Sequence, residues 1–158
     1  LHGVAPRVVL GQAWWDKTRQ AACRASDFRC MACGVPKELA QWHKWLEGHE
    51  VYDVDWRKGI ATYVETVALC HFCHCFIHDG RLRALLDKGE VTQEKFSLVM
   101  EHGKRVLAEA GLKKKSPAAL CSRTAPWEKW RLVVNGKRHL PKFKTFAEWL
   151  VGHGHAEE

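Results

Sequence analysis

Two cysteine pairs constrain this chain more than any other feature: Cys30-Met-Ala-Cys33 and Cys70-His-Phe-Cys73. A C-x-x-C turn presents two thiolates from one tight loop. Two such turns supply the four sulfurs that a tetrahedral zinc ion takes at about 2.3 Å each. The chain has seven cysteines, an odd number, and four of them fall in these pairs. That pattern fits metal ligation in a reducing compartment better than a disulfide framework. Cys23, Cys75 and Cys121 are left over and read as small buried hydrophobic residues. The chain between Cys33 and Cys70 must fold back on itself so that its two ends meet at one ion.

The intervening residues are patterned to do that. Trp45–Trp56 and Ile60–Leu69, the latter rich in β-branched residues, read as two strands joined by a turn containing Gly59. Before them, Gln12–Ala25 has helical composition and Ser26-Asp27 breaks it. Gly34 is free to take the positive φ that a knuckle turn needs, and Lys37–Trp45 is a short helical or irregular link. After them, His74–Leu86 reads as a helix running through Gly80 and ending at Asp87-Lys88-Gly89. Thr92 caps a further helix through about Ala110, with Phe96, Val99, Met100, Val106 and Leu107 on its apolar face and Gly111 as its stop. Lys113–Pro117 reads as a linker. Asn135-Gly136 marks a type I′ hairpin, Pro141 ends its second strand, and Thr145-Phe-Ala-Glu148 is a capping box opening a last short helix. The expected architecture is α+β, with residues 1–112 as a small zinc-stapled core with flanking helices and 113–158 as a basic appendage.

Charge is unevenly placed. The chain carries +7 with a pI near 9.1, yet residues 113–144 hold ten Lys or Arg against one acid, Glu128. A basic surface of this kind favours an acidic partner, double-stranded DNA first. Trp127, Trp130, Phe143 and Trp149 interleave with these cations and read as core more than as base-stacking platforms. Lys113, Lys114, Lys115, Lys137 and Arg138, with Arg81 and Arg83 beyond the second cysteine pair, are the candidate phosphate contacts. No apolar run reaches membrane-spanning length, so no membrane partner is expected. Leu1–Trp15 lacks the basic start and apolar stretch of a signal peptide, and a first residue of Leu points to trimming or an unseen start. The expected location is cytoplasmic.

The second cysteine pair runs directly into His74-Cys-Phe-Ile-His78. Histidines at i and i+4 project from adjacent turns of one helix face and can share one metal ion. Imidazole suits transition metals.

C-x-x-C-G at Cys30–Gly34, His49 near the end of a first strand, and a second strand running into L-C-x-x-C-H-x-x-x-H at Leu69–His78 resemble the HNH endonuclease family. The resemblance covers about residues 28–80. It implies a ββα-metal fold with a four-cysteine zinc site, in which a β-hairpin packs on a helix that enters the minor groove. It also implies His49 as the general base, and His74 and His78 as ligands of an active-site divalent ion: Mg²⁺, Mn²⁺, Ni²⁺ or Zn²⁺. Chemistry supports those roles, since an imidazole titrating near neutrality can take a proton from water and a cation offsets charge developing on phosphate.

Two positions depart from the family pattern. Gly48 stands where the family has Asp or His as a further ligand. Glu65 stands at the position of the Asn that orients the base; a carboxylate there can accept an imidazole N–H and raises that histidine's pKa. Glu47, Glu50 and Asp53 are candidates for the missing ligand, with strand alternation placing Glu47 and Asp53 on the face of His49. The expected function is metal-dependent hydrolysis of DNA phosphodiester bonds, of a kind often carried by phages or mobile elements. The alternative is a zinc-stabilised module on the same scaffold that recognises DNA or a protein without cleaving.

Overall fold

In a computed structural model, residues 4–114 and 124–152 are described. Lys115, Cys121 and most of the expected linker lie outside them. The elements are α1 (Pro6–Leu10), α2 (Gln12–Ala25), a 3₁₀ turn (Lys37–Leu39), β1 (Glu47–Asp55), β2 (Ile60–Leu69), α3 (His71–Ile77), α4 (Asp79–Asp87), α5 (Gln93–Glu109), a second 3₁₀ turn (Trp127–Lys129), β3 (Arg131–Val134), β4 (Lys137–His139) and α6 (Phe146–Gly152).

The strands form one mixed four-stranded sheet in the order β1-β2-β3-β4. A connection as short as that between β1 and β2 permits only an antiparallel pair. Asp55 builds its turn: the side chain accepts from Arg57 N at 3.1 Å and Lys58 N at 3.0 Å, and the carbonyl accepts from Gly59 N at 2.8 Å. Gly59 sits at φ 67°, and a Cβ there would lie 2.9 Å from Ala125 Cβ, so both the conformation and the space require glycine. The Asn135-Gly136 turn has φ of 51° and 73°, as a type I′ hairpin demands. Its strands are not a sheet of their own. β3 runs parallel to β2, with Ile60 opposite Arg131, Ala61 opposite Leu132 and Thr62 opposite Val133.

Two further expectations are corrected. The helix expected over 74–86 is two helices, α3 and α4, because His78 leaves helical geometry at φ −96°, ψ 40° while Gly80 stays helical. The helix α1 was not foreseen: its five residues are too few for a periodic signal, and Pro6 is its starting residue. Thr92 caps α5 as expected, accepting from Lys95 N at 3.2 Å. No helix among the described residues is long and apolar enough to cross a membrane.

The chain divides into two compact units. One comprises Thr18–His49 and Thr66–Lys114, and its core is Cys30, Leu46, Leu69, Cys70, Phe72, Cys73, Phe76, Leu82, Phe96 and Val99 with Ala40 and Ala68. The other draws on Leu1–Lys17, Glu50–Glu65 and Lys115–Glu158, with a core of Val4, Leu132 and Val134 flanked by Val9, Leu10, Tyr52 and Tyr63. In the first unit α3 packs closely on α5 where the Phe76 ring meets Gly103, and a Cβ there would fall 2.0 Å from Phe76 Cγ.

Replacing Gly103 by Ala gains about 1 kcal/mol of helix propensity and loses about 1–3 kcal/mol to overpacking. The clash at the ring's rooted atom decides the balance. Thermal melts followed by circular dichroism should show Gly103→Ala lowered by several degrees, and Gly80→Ala, where nothing lies within 4 Å of the added Cβ, unchanged or raised.

Candidate metal centre

The two cysteine knuckles converge as their spacing implies. The first is tied by Gly34 N to Cys30 O at 2.8 Å and Cys30 N to Val35 O at 2.9 Å, with Gly34 at φ 72°. It is held to the end of β2 by Met31 N to Ala68 O at 2.9 Å. The second opens α3, where His74 N reaches Cys70 O at 3.0 Å. The four sulfurs of Cys30, Cys33, Cys70 and Cys73 all lie within 4.8 Å of one another, and Cys33 Sγ is 3.7 Å from Cys70 Sγ. A regular tetrahedron with 2.3 Å metal–sulfur bonds has edges of about 3.8 Å. The group can therefore hold a zinc-sized ion with little rearrangement.

Proton sharing within the group is uneven. Hydrogen bonds from Cys30, Cys70 and Cys73 hold the Cys33 thiol far below its ordinary range, while those to Cys30 and Cys33 push Cys70 and Cys73 well above it. His102 on α5 completes the surroundings. Arg105 approaches its Nδ1 at 3.2 Å as a donor, so Nε2 carries the proton and donates to Cys73 Sγ at 3.2 Å. Such outer hydrogen bonds steady a thiolate ligand. No sequence signal singled out His102.

A second group lies in the same unit. His49 from β1 meets His74 from α3 and His78 from the helix's C-cap, with one ring nitrogen of each within 4.8 Å of the others. Ring centroids are 5.4 Å apart for His49 and His74, 5.0 Å for His49 and His78, and 4.8 Å for His74 and His78. The i, i+4 geometry survives the break at His78 because its N–H still reaches His74 O at 3.2 Å. His49 Nδ1 is buried with no hydrogen-bond partner. Burial, then the neighbouring His78 and His74, lowers the pKa of His49 to about 4. Burial likewise lowers that of His78. At neutral pH His49 is an uncharged base inside a trio of imidazoles, a donor set that suits a transition-metal ion.

Glu47 ties this trio to a further pair. One carboxylate oxygen, Oε2, is hydrogen-bonded by His74 Nδ1; the other, Oε1, faces His71 Nδ1 at 2.7 Å and His43 Nε2 at 2.9 Å. Burial disfavours the Glu47 charge, but the hydrogen bonds from His71 and His74 outweigh it and hold the carboxyl far below its usual range. His71 is raised to about 9, first by its contact with Cys75 and then by Glu47. Cys75 Sγ lies 3.5 Å from His71 Nε2, so Cys75 is not the bare hydrophobic residue its sequence suggested. His43 and His71 escaped the sequence reading. His71 sits inside the second C-x-x-C pair, three residues before His74, a helical spacing that was available but overshadowed by the cysteines.

Of the three ligand candidates on the first strand, Glu47 joins the histidines, while Glu50 and Asp53 belong to none of the metal-competent groups among the described residues. Asp53 is exposed. Glu65 is also exposed, and since His49 Nδ1 has no partner, the orienting bond expected of Glu65 is not made there. Arg81 is exposed; Arg83 lies over the Phe96 ring at 4.2 Å, and Lys114 pairs with Asp79. Lys113, Lys137 and Arg138 are exposed. Trp127 and Trp130 are half-buried, and their indoles are anchored: Trp127 Nε1 donates to Phe143 O and Trp130 Nε1 to Ala125 O, each at 3.0 Å.

Replacing Cys70 with Ser should abolish stoichiometric zinc retention after dialysis and unfold the unit, since structural zinc contributes on the order of 10 kcal/mol in small modules. Elemental analysis beside a thermal melt checks both; an unchanged melt would refute a metal role for the thiols. With one equivalent of zinc at the cysteines, NMR titration should show His49 protonating only near pH 4 and His71 losing its proton only near pH 9. The sign follows. The stabilising His71–Glu47 ion pair is complete below about pH 6.5 and is lost as pH rises through 9, whereas His49 favours the folded state above about pH 6.5 and that contribution is lost as pH falls toward 4.

No family model matches the chain, and no curated protein or solved structure is significantly similar to it.

Proposed function

We propose that this protein is a metal-dependent nuclease of the HNH kind that hydrolyses phosphodiester bonds in double-stranded DNA, with zinc at the four cysteines and a divalent ion held by His74 and His78. The observation that carries this reading is the convergence of His49 on His74 and His78 beside a four-cysteine group, on a β-hairpin that leads straight into the helix. A divalent ion bound there offsets the negative charge that builds on the phosphate and on the leaving oxygen.

The chain's own residues supply the rest. His49, kept neutral at physiological pH by burial, presents an uncharged imidazole as the proton acceptor for water. Glu47 orients His74 by accepting from its Nδ1, which directs the remaining ring nitrogen, Nε2, to the ion. Arg81, exposed one turn beyond His78, is suited to a neighbouring phosphate, and Lys113, Lys137 and Arg138 add exposed positive charge.

A second reading draws on one observation, the unpartnered Nδ1 of His49. If that ring is a third metal ligand, it is no longer free to act as a base, and the centre belongs to a binding module. The two readings separate in one pair of measurements. With supercoiled plasmid and Mg²⁺, Mn²⁺, Ni²⁺ or Zn²⁺, the nuclease reading expects nicking that falls at least about 100-fold in His49→Ala, while calorimetry shows the divalent ion still bound; His78→Ala loses both. DNA binding without nicking under every metal, or loss of the ion in His49→Ala, favours the binding module.

A further inference from the structure

We propose that His43, Glu47 and His71 form a second divalent-metal site, linked through the Glu47 carboxylate to the one at His74 and His78. The three donors come from the segment before β1, from the first residue of β1 and from the first residue of α3, all in one unit, and their ligand atoms lie within 4.8 Å of one another.

The orientation of His43 points to a cation at Glu47. Its Nδ1 contacts Trp45 O at 3.2 Å, and a carbonyl can only accept, so Nδ1 bears the proton. Its Nε2 faces the carboxylate oxygen Glu47 Oε1 at 2.9 Å. A cation between nitrogen and oxygen, a proton or a metal ion, satisfies both. The same oxygen faces His71 Nδ1 at 2.7 Å. A metal ion in place of the His71 proton would draw on all three donors at once, and His43 already has the arrangement of a bound histidine, one nitrogen toward the ion and the other donating to a backbone carbonyl. Bonds of about 2.0–2.1 Å imply tetrahedral edges of about 3.3 Å, so the donors need to open by roughly half an ångström.

The surroundings hold the donors in place. The Trp45 ring stacks on His43 at 3.7 Å with planes 3° apart, and Trp42 stacks on His71 at 6.4 Å and 19°. Trp42 itself sits at φ 79°, a conformation a bulky residue seldom adopts, immediately before His43. His43, His71 and Glu47 side chains are 12 %, 19 % and 24 % exposed, so the site is sheltered yet open to solvent. Two imidazoles and a carboxylate select a borderline transition ion such as Co²⁺, Ni²⁺ or Zn²⁺, and three protein donors leave a coordination position for water or an anionic oxygen. The Glu47 carboxylate would ligate this ion through Oε1 while Oε2 holds His74, coupling the two centres.

The inference stands apart from whether DNA is cleaved, and its test reads metal alone. The full chain, carrying zinc at its cysteines, is titrated with Co²⁺ in equilibrium dialysis. Two cobalt ions per chain are expected, one in His43→Gln and in His71→Gln, one in His78→Gln, and none in His43→Gln combined with His78→Gln. Glu47→Gln should weaken both sites at least about 10-fold. Zinc retained at the thiolates reports that each variant is folded; should His71→Gln lose it, His43→Gln, outside the helix, decides. A wild-type chain that takes a single cobalt ion, with His43→Gln indistinguishable from it, would overturn the proposal and leave a proton between His43 and Glu47.

Discussion

Four sulfurs drawn to one point set the conditions for everything else in the first unit. Cys30 and Cys33 sit on a knuckle that follows α2, and Cys70 and Cys73 on the start of α3; only chain reversal through β1 and β2 can bring them to a common centre. Cys30, Cys70 and Cys73 are also among the most buried residues of the core, so metal ligation and hydrophobic packing act on the same atoms. That economy suits a small unit, in which a metal adds to what the apolar core supplies.

The same convergence positions the histidines. α3 begins at the residue after Cys70, so its orientation is set by the thiol cluster, and with it the direction in which His71, His74 and His78 project. β1 arrives alongside with Glu47 and His49, whose side chains meet those of His71, His74 and His78. The result is five imidazoles around one carboxylate, with His43 as the fifth. Such a collection is electrostatically untenable if every ring is charged. The structure resolves this by keeping His49 neutral through burial and by setting the Glu47 charge against His71 and His74, with His43 beside it. Metal ions would relieve the same tension.

Much of the fold could be read from local signals, and the failures have physical causes. Gln12–Ala25 and Ile60–Leu69 match the observed elements, and the Asn135-Gly136 turn and the Thr92 cap are where their chemistry requires, because each is decided by a few neighbouring residues. The break at His78 was missed since histidine carries no helix-stopping signal, and Gly80, which does, stays helical. The parallel pairing of β3 with β2 was missed because partners so distant in sequence leave no local trace.

The sequence by itself determined the four-cysteine group and the histidine pair on one helix, since both depend on short spacings that backbone geometry converts directly into proximity. It also showed where the positive charge is concentrated. Only the tertiary structure decided which strand carboxylate joins the histidines, selecting Glu47 over Glu50 and Asp53, and left Glu65 exposed instead of bonded to His49. It also brought in His43, His71 and His102, whose partners lie on other elements. The physical reason is the range of the interactions: a spacing fixes what one turn of helix or one tight loop presents, whereas the approach of β1 to α3 is settled by packing across the unit.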